Sequence, residues 1–458
     1  MNGRRLLAVL TVLSLALAGC TAPVSPPSDA EVAGNSSVAD GEAAADGDGE
    51  TAPGADGETA SNDGADAGDD ADDGTERSLP IEPDPVWNRV ATMMDTDAEQ
   101  PDLTVGVPSA TAGRAFATDR STFKQALNAS AAGSISDGGA GPRGVTTPFG
   151  VYVEPADGPP VVVEQVLAHE YAHAVQYSES MFGAWLIEPT GSTDRQMTKT
   201  ALIEGGATYV GDEYTERHLS DVPLQSEQMR RSYERSASGD RFFVAPYYFG
   251  AEYVDERLDT PANLQRVYAD PPANTAELLH GESAGEQLPM SITVDAEDSV
   301  WTATSRDRKG ELFTRIALRA SLDDDAAAAA AAGWGNDSAI AFDSDGAGGP
   351  AAFVWTFRWQ TSGEADEFVA AFEDGLDGRT DDWAERTSIE RVDDRTVALA
   401  MGPEEFREGT AISGSDGSVA IDVDAQVEDD GWFRIEAGRA TTGAAANGGT
   451  AAGAAAAS

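Results

Sequence analysis

The segment "VLAHEYAHAVQY", Val166 to Tyr177, constrains this chain more than any other stretch. It is apolar, yet it holds His169, Glu170 and His173. The whole chain of 458 residues has only four histidines, so a chance match to this spacing is expected roughly 0.003 times. Pro159 and Pro160 suit the first turn of a helix and predict one over Val161 to about Ser178. On such a helix residues i and i+4 share a face, so both imidazoles can reach a single metal ion. Glu170 then projects to one side, where it can hydrogen-bond a water beside the metal instead of binding the metal. The bland alternative is a pair of satisfied helix histidines, which would suit a histidine-rich chain better than this one.

A zinc site needs a third protein ligand, and zinc suits imidazole and carboxylate donors that leave a position open for water. His218 and His280 are the remaining histidines, and no histidine follows closely in "AVQYSESMFG". A second predicted helix, about Asp194 to Arg217, carries "LIEGGATYVGDEY" and offers Glu204. Gly205 and Gly206 are poor choices for an exposed helix interior, and together with Ala207 they make sense where two backbones approach closely. Asp212 and Glu213 lack those small neighbours and are weaker candidates. Read blandly, Glu204 is a solvated helix carboxylate.

"HEYAHAVQ" followed by "EGGATY" resembles the gluzincin metallopeptidases, over about Pro80 to Asp259. That resemblance implies His169, His173 and Glu204 as Zn2+ ligands and Glu170 as catalytic base. It implies an α+β fold: a gluzincin-like core of helices and an edge strand, followed by a smaller α+β domain. Some gluzincins place an aspartate four residues after the third ligand to orient a ligand histidine; here that position is Thr208. The oxyanion of peptide hydrolysis needs a further donor, for which Tyr247 and Tyr248 are the first candidates and His218 and His280 the reserves. A tyrosine pair in "APYYFGAEYV" is also what a core would contain.

The formal net charge is −50 and the pI about 4.1. Lys124, Lys199 and Lys309 are the only lysines among thirty basic residues. Acids crowd apparently folded segments such as "DDWAERTSIERVDDRT" as well as a tail, which fits a protein built for high salt, as in haloarchaeal proteins. No nucleic-acid partner is expected, because phosphates would meet a field of their own sign.

Arg4 and Arg5 precede an apolar run, Leu6 to Ala18, too short for a permanent span. It ends in "LAGC", which resembles a lipobox, with Cys20 the chain's single cysteine and its expected lipidation point. The paired arginines resemble a twin-arginine export signal, although Gly3 stands where serine is usual. The expected organisation is a lipoprotein signal peptide over residues 1–20 and a disordered acidic stalk over 21–79. A metallopeptidase-like domain over 80–290, a C-terminal α+β domain over 291–440 and a disordered tail over 441–458 follow.

Within these, "VWNRVATMM" reads as a helix, "LTVGV" as a strand and "GVYV" as an edge strand. "YYFGAEYVDERL", Tyr247 to Leu258, reads as a third helix. In the C-terminal part "RKGELFTRIALRASL" and "DDDAAAAAAAGWGND" read as helices, "AIAFDSD" and "AAFVWTFRWQ" as a hairpin, and "SIERVDDRTVALAM" as two strands. "SGEADEFVAAFEDGL" reads as a helix capped by Ser362.

The leading expectation is a lipid-anchored, extracytoplasmic zinc metallopeptidase acting on a peptide or protein substrate. The alternative is a non-catalytic surface lipoprotein, a degenerate peptidase that binds metal or a partner. A third reading makes Trp301, Trp334, Trp355 and Trp359 a ligand-binding surface, although clustered tryptophans are more often core.

Overall fold

The computed structural model describes residues 18–21, 78–108, 121–130, 142–183, 185, 189–281, 284, 286–297, 299–344, 351–377 and 384–424. The expected signal-peptide residues 1–17, the stalk over 22–77 and the tail over 441–458 lie outside these.

The first half is a small sheet against a helical layer. Strand β1 (Ala18–Thr21) is followed by helix α1 (Pro83–Met94), β2 (Leu103–Val105), α2 (Thr122–Ala126), β3 (Arg143–Thr147) and β4 (Gly150–Glu154). Sheet order is β1-β3-β4-β2, with β1 and β4 antiparallel to β3 and β2 parallel to β4. The expectation of an edge strand at "GVYV" is therefore corrected: β4 is flanked on both sides, and its apolar side chains are buried at Val151 and Val153. The Cys20 backbone lies in β1, in register with Gly144.

Helix α3 (Pro160–Ser178) begins as the paired prolines require, with Pro159 at the cap and Pro160 at the first helical position. From Val166 to Gln176 every side chain is buried, so this helix runs through the centre of the fold and not along its surface. Trp87 of α1 packs edge-on against Tyr171, ring centroids 5.3 Å apart. Helix α4 (Thr193–His218) is capped by Ser192, whose hydroxyl accepts from the Arg195 N–H at 3.2 Å. Then come α5 (Gln225–Arg235) and α6 (Ser238–Asp255). The helix expected from Tyr247 in fact starts at Ser238 and carries Pro246 inside it, so Tyr247 and Tyr248 stand mid-helix. Helices α4 and α6 cross at a glycine pair: a Cβ on Gly205 would lie 2.1 Å from the Gly250 carbonyl carbon. Short helices α7 (Gln265–Ala269) and α8 (Thr275–His280) close this half.

The second half carries β5 (Ser291–Asp295), β6 (Trp301–Asp307), α9 (Gly310–Leu318), α10 (Asp324–Ala331), β7 (Trp334–Ser344) and β8 (Ala351–Trp359). Helix α11 (Ser362–Asp377) and strands β9 (Thr387–Asp393) and β10 (Thr396–Met401) follow. The chain then runs through α12 (Glu404–Glu408), β11 (Thr410–Ser415) and β12 (Ser418–Val423). One antiparallel sheet runs β6-β7-β8-β10-β9, and β11-β12-β5 form a smaller one in which β5 and β12 are parallel. The expected hairpin is β7 with β8. The cap of α11 is Thr361 and not Ser362: Thr361 accepts from the Glu364 N–H, and Glu364 accepts in return from the Thr361 N–H.

The fold is thus α+β. Its main core is continuous from Val86 through His-bearing α3 to Met401, so side chains from either side of residue 290 share one interior. Trp301, Trp334, Trp355 and Trp359 are each at most 2% exposed, which makes them core and removes the ligand-surface reading. Among the described residues no helix is long and apolar enough to cross a membrane.

Candidate metal centre

His169 and His173 lie one turn apart on α3, ring centroids 4.8 Å from each other, and Glu204 reaches them from α4. Glu204 Oε2 stands 3.3 Å from His173 Nε2 and 3.6 Å from His169 Nε2. Among the described residues neither ring nitrogen nor that oxygen has a hydrogen-bond partner, although His169 and His173 are 0% exposed and Glu204 is 4% exposed. Donors about 2.0–2.1 Å from one tetrahedral ion sit about 3.3–3.4 Å apart, so these separations suit a shared cation. Left unpaired, each buried polar atom would cost about 1–3 kcal/mol. The group can therefore hold a metal ion.

The other ring nitrogens decide the tautomers. His173 Nδ1 donates to Gln176 Oε1 at 2.8 Å, and His169 Nδ1 donates to Gln225 Oε1 at 3.2 Å. An amide oxygen only accepts, so both Nδ1 atoms carry the proton and both Nε2 lone pairs face Glu204. Gln176 is in turn tied by Nε2 to the Ile203 carbonyl and the Tyr268 hydroxyl. Gln225 begins α5, where its N–H donates to Asp212 Oδ1 at 2.6 Å. Asp212, set aside as a ligand, thus anchors the residue that orients His169. These two glutamines fill the orienting role that Thr208 cannot; its own hydroxyl is buried without a partner.

The small residues after Glu204 serve these contacts. A Cβ on Gly206 would lie 2.1 Å from the Tyr268 hydroxyl, and one on Gly211 would lie 2.3 Å from Gln225 Oε1. Gly205 serves the crossing with α6 instead.

Glu170 stands beside this group without joining it. Its Oε2 accepts from the Thr146 hydroxyl at 2.6 Å, while Oε1 is buried without a partner. Strand β3 passes so close that a Cβ on Gly144 would lie 2.4 Å from Glu170 Cγ. Burial lifts the Glu170 carboxyl to about 8, with His173 and the Thr146 hydroxyl acting against that shift. Burial opposes ionisation of Glu204 as well, but His173 and His169 outweigh it and hold that carboxyl down at about 2.

Of the two candidate tyrosines, Tyr247 stacks near His169, centroids 6.1 Å apart. Tyr248 does not come to the site; it packs on Tyr233 and Phe249 on the other side of α6. Of the two reserve histidines, His218 packs on Tyr214 at the end of α4 and His280 bonds Glu311, both away from the group. Tyr177, one turn beyond His173 on the same face of α3, was missed. Burial raises its phenol, and Glu204 and Glu170 raise it further. Its spacing from His173 was the available signal.

A family model described as a domain of unknown function, DUF8575, matches residues 299–431, from just before β6 to just past β12. The match covers the second half only and none of the three side chains that could hold a metal ion. No curated protein and no solved structure is similar to the chain.

Proposed function

We propose that the protein is a gluzincin-type zinc metallopeptidase that hydrolyses peptide or protein substrates. On this reading it is held at the outer face of the cell membrane through lipid on Cys20. The observation that carries the reading is the set of four buried atoms without partners: His169 Nε2, His173 Nε2, Glu204 Oε2 and Glu170 Oε1. Three of them suit a cation. The fourth, held outside the ligand group, suits a proton in transit.

When bound, zinc supplies polarisation of a substrate carbonyl and brings the pKa of water toward neutrality. A cation on the three ligands would counter the burial that raises the Glu170 carboxyl and leave it ionised, so that Glu170 is the base: Thr146 occupies Oε2, and Oε1 takes the proton of the attacking water and returns it to the departing amine. Tyr177, whose phenol feels the Glu204 and Glu170 charges, and Tyr247, stacked near His169, are the candidates to donate to the oxyanion. An extended substrate backbone fits the outer edge of β3, where the chain's own Ala18–Thr21 pairs opposite Gly144 and Thr146. Cleavage before Cys20, which lipidation there entails, takes Ala18 and Gly19 off that edge and opens it to substrate.

The test is Glu170→Gln in the full chain, assayed at molar salt for zinc content and peptide hydrolysis. Zinc retained with hydrolysis lost is the expected outcome; hydrolysis retained overturns the reading. Stoichiometric zinc with no turnover by the wild type on casein or a peptide library would leave the non-catalytic alternative.

A further inference from the structure

A cavity of about 470 Å³ lies between the start of α4 and the β6–β7 edge of the larger sheet. That volume falls in the range of small-molecule sites, about 300–1,000 Å³. In a chain of net charge −50 its lining is unusual, because two arginines, Arg306 and Arg308, border it. Two aspartates border it too, but their oxygens are taken. Asp307 accepts from the Thr193 N–H, the Thr193 hydroxyl and Lys309 Nζ. Asp337 accepts from the Lys309 and Gly310 N–H groups and from both indoles, Trp334 and Trp355. Neither carboxylate is left for a cation.

The donors are in the opposite condition. Arg306 gives Nη2 to the Ile292 carbonyl, and Arg308 gives Nε to Asp194. Among the described residues the rest of both guanidinium groups has no partner. Ser338 is 7% exposed, and its hydroxyl, at the cavity wall, is buried with no partner among the described residues. Arg306 pairs opposite Ile340 across β6 and β7, so it shares a sheet face with Ser338, two residues along the same strand. Met290 and Ile292 add an apolar side.

We propose that this cavity binds a small organic carboxylate, its oxygens received by Arg306, Arg308 and the Ser338 hydroxyl and its apolar part lying on Met290 and Ile292. A guanidinium fork matches carboxylate geometry, and a buried hydroxyl with no partner is completed by the same ligand. The site is separate from the metal centre and does not depend on peptide hydrolysis.

The test is calorimetric titration of the full chain in molar potassium chloride with N-acetylleucine, and with N-acetylleucinamide as its uncharged counterpart. The acid should bind at least tenfold more tightly than the amide. Arg306→Gln should weaken the acid at least tenfold. Ser338→Ala should weaken it severalfold with no fall in melting temperature, since the hydroxyl it removes has no partner within the protein. No binding of the acid, equal binding of acid and amide, or binding unchanged in both variants would each overturn the proposal.

Discussion

The side chain of Glu170 fills the space that a Cβ of Gly144 would need: that carbon would lie 2.4 Å from Glu170 Cγ and 2.6 Å from Oε1. A glycine inside a strand is weak in its own right and marks a close approach. Gly144→Ala must therefore move either β3 or the carboxylate. Overpacking of this kind costs about 1–3 kcal/mol. The expected outcome is lower stability in a melting experiment and a fall in peptide hydrolysis with zinc content unchanged. Full activity in the alanine variant would show that Glu170 need not stand where it does.

The two glutamines make a separate prediction. Gln176 and Gln225 hold the ring protons on Nδ1 of His173 and His169. Loss of such supports weakens metal binding about 10–100-fold. Gln176→Leu and Gln225→Leu should each do so, measured by competition with a chelator of known affinity. Gln176→Leu should be the worse, because it also strips the Tyr268 hydroxyl and the Ile203 carbonyl of a donor.

Removing the metal should loosen the fold, because α3 and α4 are joined at its ligands. A ligand held only by the native state at a hundred times its dissociation constant adds about 2.7 kcal/mol. Thermal unfolding in molar salt should therefore shift downward with chelator and recover with zinc. Glu204→Ala should abolish most of that zinc-dependent shift. A shift as large in this variant as in the wild type would place the metal elsewhere.

Asp337 gives the stability a pH dependence. It is 3% exposed, and burial lifts its carboxyl from 3.8 to about 6 against the Lys309 and Gly310 N–H groups. A carboxyl raised on folding favours the fold when protonated. Its contribution is thus complete below about pH 4 and is lost as pH rises through about 6, on the order of 3 kcal/mol. The melting temperature should fall between pH 4 and 7, and Asp337→Asn should flatten that slope. Asp194 and Glu311, also raised by burial, shift stability in the same sense.

What could be read without coordinates was whatever a single helix determines. The spacing of His169 and His173, the start of α3 at the proline pair and the small-residue run after Glu204 are all local, because hydrogen bonding within a helix sets where i+4 lies relative to i. Even Gln176 and Tyr177 were within reach of that rule. Glu204 was reachable only as a candidate, since nothing local says which carboxylate on a second helix turns inward.

Tertiary structure decided the rest. Gln225, Thr146 and Gly144 come from elements with no sequence link to α3, and each meets it only because burial of apolar faces brings those elements together. The same packing turned Tyr247 toward His169 and Tyr248 away, a choice set by which face of α6 the core took. Sequence by itself determined a helix able to present two imidazoles and a carboxylate. Only the packed chain decided which side chains complete, orient and enclose them, because those contacts join residues far apart along the backbone and are selected by the interior as a whole.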